Sequence, residues 1–129
     1  MTEPISGGCF CRGVRFSLSG PMKAMAHCHC ESCRKATSSP FTTWFTVEKK
    51  HVTFSGLQPT VYHSSPGVTR TFCPRCGSPL TYEATDRASD IDLYAASLDD
   101  HRNFKPLKHV FWSEHVPWVE LGDDLPRDG

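Results

Sequence analysis

The sequence predicts a mainly β domain of short antiparallel strands with little helix, stapled by metal, and three observations carry that reading. Apolar and polar residues alternate with a period of two in several short segments, the pattern of half-buried strands. Ten Pro and nine Gly cut the 129 residues into short pieces and leave no run for a long helix. Seven Cys fall into three tight groups: Cys9 and Cys11; Cys28, Cys30 and Cys33; Cys73 and Cys76. The length suits one domain, 1–129, with a modest core, and no linker, repeat or low-complexity tract divides it.

In chain order, Val14-Arg15-Phe16-Ser17-Leu18 is the first alternating strand. The only helical segment is Glu31 to Thr37, about two turns directly after the central cysteines. From 41 to 47, Phe41, Thr43, Phe45 and Val47 share one face, with Thr42, Trp44 and Thr46 on the other. Val52 and Phe54 form a shorter strand before a turn at Gly56. Val61-Tyr62-His63 and Thr69-Arg70-Thr71-Phe72 flank a turn at Ser64-Ser65-Pro66-Gly67, a hairpin that runs straight into Cys73. Leu80-Thr81-Tyr82, Ile91-Asp92-Leu93-Tyr94 and Val110-Phe111-Trp112 are further strands. The aromatics Phe16, Trp44, Phe45, Phe54 and Phe72 are read as core packing, not as a ligand cage. Trp112, Val116, Trp118 and Val119 in the tail are read as packing on the domain or on a second copy.

Charge excludes some functions. Fourteen Lys plus Arg balance fourteen Asp plus Glu, so nothing electrostatic draws the chain to nucleic acid or an anionic membrane. Seven His allow a response to mild acid. The opening Met-Thr-Glu-Pro-Ile-Ser-Gly-Gly lacks the basic and apolar regions of an export signal, and no apolar run reaches the roughly 20 residues of a membrane span. The expected location is cytoplasmic, where clustered cysteines serve as metal ligands or catalytic thiols.

Cys73-Pro74-Arg75-Cys76-Gly77 is the most specific motif. Two thiolates three residues apart grip one tetrahedral metal when the backbone between them turns tightly. Pro74 pre-sets that turn and Gly77 frees it from a Cβ clash. Backbone N–H groups in such a knuckle point at the sulfurs. A redox C-x-x-C pair would want a βαβ setting, which the strand pattern lacks.

Cys9 and Cys11 point to one side of an extended segment, with Gly7, Gly8 and Gly13 letting it bend round an ion. Cys28, Cys30 and Cys33 supply three thiolates within six residues. Three protein ligands leave a fourth position open, the mark of a reactive metal rather than a closed one. His27 and His29 have the wrong parity to close it, which leaves His63 or His109 as the distant alternatives. Spacing does not decide the partition. Cys30, Cys33, Cys73 and Cys76 could form two knuckles round one zinc, or Cys9, Cys11, Cys73 and Cys76 could join and leave a group of three.

With those motifs in hand, the chain resembles the family of glutathione-dependent formaldehyde-activating enzymes, which includes the centromere protein V-like domains. The matching pieces are GGCFCRGVRF (7–16), HCHCESCRKATSSPF (27–41), FCPRCGSPLTY (72–82) and HVFWSEHVPWVELGDDLPR (109–127). The resemblance implies a β-tent fold of two β layers and the four-plus-three partition. Cys9, Cys11, Cys73 and Cys76 would hold a structural zinc, and Cys28, Cys30 and Cys33 a catalytic one. One departure is Ser38, where family members often carry Gly.

The family's reaction joins formaldehyde and glutathione, so the resemblance implies a carbon–sulfur lyase whose partners are a glutathione-like thiol and a small aldehyde. Three thiolates on a divalent zinc sum to −1 and a fourth makes −2, so nearby cations matter. Arg34 and Lys35 directly follow the site and are the candidates for this charge and for the cofactor thiol. Arg70 and Arg75 are further candidates for a glutathione carboxylate. The rival readings are a zinc-stapled binding module without catalysis, and an iron–sulfur protein.

Overall fold

A computed structural model describes residues 4–129. Residues 1–3, part of the segment considered above for an export signal, lie outside the described residues. The chain is mainly β, with ten strands in two sheets and one short α-helix among the described residues. The smaller sheet has the order β1 (Ile5–Gly8), β2 (Val14–Leu18), β5 (Val52–Gly56). In the larger, β10 (His109–Val110), β3 (Ala24–Cys28), β4 (Thr42–Glu48), β9 (Asp90–Tyr94), β8 (Pro79–Ala84), β7 (Val68–Phe72) and β6 (Thr60–Ser65) lie side by side. Their ladders are antiparallel except β10 against β3. No helix is long and apolar enough to cross a membrane among the described residues.

The alternation places the core. Phe16 and Leu18 leave the small sheet on one face and meet Phe45, Val47, Ile91 and Leu93 from the large one. Phe45 and Val47 are fully buried, each side chain contributing about 1.5–3 kcal/mol by leaving water. The other face of β4 is also covered. Thr46 is buried and donates its hydroxyl to Asp92 on β9 at 2.6 Å.

The helix α1 spans Glu31–Thr37, as the sequence predicted. It ends because Ser38 turns left-handed at φ 54° and returns its N–H to the Arg34 carbonyl. The hairpin of β6 and β7 also forms as read, closing through Gly67 at φ 76°. Other parts of the reading change. Only Phe16 and Phe45 of the five aromatics are core; Phe54 is 37% exposed, and Trp44 and Phe72 line cavities. The final strand stops at Val110, because Phe111 adopts φ 55° and turns the chain out of the ladder.

Gly7 and Gly8 act differently from the bending expected of them. Both sit in β1, where a Cβ on Gly7 would lie 2.4 Å from the Ser97 carbonyl and 2.5 Å from the Phe16 ring. The absence of a side chain there permits a close approach of backbone to core.

Candidate functional site

The turn after β1 carries Cys9 and Cys11, and the turn after β7 carries Cys73 and Cys76. Their four sulfurs lie within 4.8 Å of one another. Tetrahedral thiolates about 2.3 Å from a zinc would stand about 3.8 Å apart. Cys9 and Cys11 are at 3.6 Å, and Cys11 and Cys73 at 3.7 Å. The backbone supplies the expected donors. Val14 N–H reaches the Cys9 Sγ at 3.2 Å, Gly13 N–H the Cys11 Sγ at 3.4 Å, and Arg75 and Cys76 N–H the Cys73 Sγ at 3.4 Å each.

Gly77, at φ 79°, returns its N–H to the Cys73 carbonyl and so closes the knuckle. Arg75 turns its Nε onto Cys11 Sγ at 3.3 Å. The Ser78 hydroxyl beside Cys76 holds that thiol down to about 5, and the Gly13 N–H with Arg75 lowers Cys11. Burial raises Cys73, but four converging sulfurs with backbone N–H donors aimed at them fit a tetrahedral thiophilic metal. Val14 and Leu80 pack round the group, so it belongs to the interior.

Cys28, Cys30 and Cys33 form a second, separate group of the same tightness. The structure therefore divides the cysteines four plus three, and Cys30 and Cys33 do not join the knuckle. Cys28 ends β3, Cys30 is the N-cap of α1, and Cys33 sits in its first turn. The Cys33 N–H donates to the Cys30 Sγ at 3.3 Å, while the Cys28 Sγ lies 3.4 Å from that of Cys33. The hydrogen bond from Cys28 holds Cys30 far below an ordinary thiol and pushes Cys28 far above one, so Cys30 is the first of the group to ionise.

The histidines take the places that parity demands. His27 Nδ1 meets the Thr43 hydroxyl at 2.7 Å, and His29 Nε2 meets His109 Nδ1 at 2.8 Å. His63 lies against Thr69 at 3.2 Å. None of them joins either cysteine group among the described residues. His109 Nε2 lies 3.0 Å from both Asp123 oxygens. A carboxylate only accepts, so His109 donates to it and receives from His29 Nε2–H. This chain, buried at His29 and His109, was not legible in the sequence, because it joins residues 29, 109 and 123 across separate elements. Burial pushes His29 down to about 4.

A cavity of about 570 Å³ opens beside Cys28, Cys30 and Cys33. Trp44, Arg70, Tyr82, Tyr94, Phe111 and Glu114 form much of its wall. Burial pushes the Tyr94 phenol up to about 12, so it remains protonated. Arg34 and Lys35 are not among the lining residues. Arg34 donates its Nε to the His29 carbonyl at 3.2 Å, and Lys35 is exposed. The tyrosines in this wall went unread because their alternation fits any half-buried strand.

Comparison with known proteins gives a family match, a curated relative and a solved structure of similar fold. The family model described as glutathione-dependent formaldehyde-activating enzyme matches residues 4–114. An uncharacterized lyase of Schizosaccharomyces pombe is 31% identical over 80 residues, covering 62% of this chain. That match spans 58% of the yeast protein, less than two thirds of its length. A crystal structure of a Rhodobacter sphaeroides protein superposes with a TM-score of 0.61 at 17% identity, over 73% of this chain and 87% of that one. At that identity the likeness shows the fold alone.

Proposed function

The chain belongs to the family of glutathione-dependent formaldehyde-activating enzymes, and on that premise we propose that it is a zinc-dependent carbon–sulfur lyase, adding a small aldehyde to a thiol such as glutathione or removing it. The observation that supports this most is the contrast between the two cysteine groups. Cys9, Cys11, Cys73 and Cys76 make a complete set of four inside an apolar cluster, whereas Cys28, Cys30 and Cys33 stop at three and border a cavity. The first set would hold a structural zinc and the second a catalytic one. A metal on three thiolates keeps a fourth position for an incoming sulfur and favours its thiolate form.

The chain's own residues would do the rest. In the forward direction the substrate S–H proton leaves, a carbon–sulfur bond forms to the aldehyde carbon, and the carbonyl oxygen gains a proton. Tyr94 accepts from Arg70 Nη1 at 3.3 Å and stays a phenol, so its own proton is free for a carbonyl oxygen in the cavity. Trp44 and Phe111 contribute apolar surface to the chamber wall. Arg70 borders the cavity together with the three cysteines and would be the cation that offsets their negative charge.

The test is the rate at which formaldehyde and glutathione form their adduct with purified, zinc-loaded protein. The expected result is a rate above background that saturates in glutathione. A rate equal to background in protein carrying two zincs would overturn the lyase reading and favour a binding module.

A further inference from the structure

We propose that His109 and Asp123 are positioning residues for the three-cysteine group: through His29 they fix the peptide that joins Cys28 to Cys30, and so set how firmly that group holds a metal. The inference rests on the metal part of the proposed function and on nothing about the substrate.

His29 stands between two of the three sulfurs. Its imidazole leaves the extended chain on the side opposite to Cys28 and Cys30, so whatever holds the ring also holds the backbone from which both sulfurs project. Three hydrogen bonds hold it. The His29 N–H donates to the Val110 carbonyl at 3.0 Å, its carbonyl accepts from Arg34 Nε at 3.2 Å, and its Nε2 donates to His109 Nδ1 at 2.8 Å. The rings of Phe41 and Trp112 close in on it, with centroids 5.1 and 4.8 Å away. Asp123 then sets the direction of the chain. A carboxylate only accepts, so the His109 proton sits on Nε2, 3.0 Å from the Asp123 oxygens, and Nδ1 is left to receive from His29.

Stability alone does not explain this arrangement. His29 and His109 are both buried, and His29 Nδ1, at the inner end of the chain, has no hydrogen-bond partner among the described residues. A buried acceptor left bare costs free energy, and apolar side chains of the same shape would fill the space without it. What the imidazoles supply instead is a fixed position beside two sulfurs. The four-cysteine group needs such support less, since a complete set of ligands defines its own geometry. A set of three leaves one direction unconstrained, so its grip on a metal depends more on how its sulfurs are held beforehand.

The rival role for the chain is to pin the tail and nothing more, and competition by a chelator for the cobalt(II)-loaded protein separates the two. Cobalt on three sulfurs and cobalt on four absorb differently, so each ion is followed separately in one sample. Asp123→Ala, a change at an exposed residue of the tail, is expected to weaken the three-cysteine ion about tenfold or more, the scale of losing an outer partner of a metal ligand. The four-cysteine ion should stay within about twofold, which also shows that the variant is folded. Asp123→Asn keeps an oxygen for the His109 Nε2–H and should recover most of the loss. Nitrogen NMR shifts of the parent should place the proton of both His29 and His109 on Nε2, and Asp123→Ala should lose that single pattern. Weakening of both ions together, no weakening of either, or a parent with the His109 proton on Nδ1 would overturn the proposal. A parent that takes up one ion alone overturns the metal reading along with this one, whereas two ions indifferent to residue 123 overturn this one only.

Discussion

Cys30 has two roles at one position, since its sulfur caps α1 and also belongs to the three-cysteine group. Serine is a strong N-cap and keeps an oxygen for the Cys33 N–H. Cys30→Ser should therefore leave the domain folded, with a melting temperature near that of the parent, while thiol binding is lost. Cys73→Ser should unfold the domain, because a structural metal supplies folding free energy of the order of 10 kcal/mol. Circular dichroism melts of both variants check the pair; an unfolded Cys30→Ser protein would make the three-cysteine site structural. Ser38 occupies a left-handed position at φ 54°, a conformation that favours glycine. Ser38→Gly should stabilise the protein by about 1 kcal/mol, read from denaturant midpoints at unchanged slope. At this scale the sequence was informative, since the parity of His27 and His29 against Cys28 and Cys30 correctly sent the imidazoles away from the sulfurs.

Among elements, legibility followed alternation. β2, β4, β5, β7 and β9 each bury one face more than the other or mark their ends with turn residues, and all were read. β1 and β3 were not. Ile-Ser-Gly-Gly carries almost no side chain to alternate, and in Ala-Met-Ala-His-Cys one face mixes Met25 with His27 while the other holds Ala24, Ala26 and Cys28, so apolar and polar residues do not alternate. The tail was hardest, because its structure comes from partners remote in sequence. His109 donates its N–H to the Pro126 carbonyl and accepts from the Asp128 N–H, and the Trp112 N–H reaches the Asp128 carbonyl. Asp123 adds its bond to buried His109, whose N–H holds that carboxyl below the usual range. Deleting residues 123–129 should cost about 2–4 kcal/mol at roughly 1 kcal/mol per lost bond. It should also speed amide exchange at His109 and Trp112 in preference to β4. Uniform exchange across both strands would show that the tail is not a separable clasp.

Over the whole molecule, two sheets enclose one apolar core, and the two cysteine groups occupy contrasting settings. The four-cysteine group ties the turn after β1 to the turn after β7, a staple across a long stretch of chain. The three-cysteine group lies where β3 runs into α1 and faces the cavity walled by β7, β8 and β9. That separation was not decidable from spacing, because C-x-x-C at residues 30 and 33 matches C-x-x-C at 73 and 76 as well as any other pairing. Only the sheet order shows which turns meet. The central claim is that the three-cysteine group is an open metal site within reach of a thiol. The most direct measurement is the visible absorption of the cobalt(II)-substituted protein during titration with glutathione. The account predicts two cobalt ions per chain and a change in the ligand-field bands of one as a fourth sulfur arrives. A spectrum that glutathione leaves unchanged, in protein carrying both ions, would contradict it.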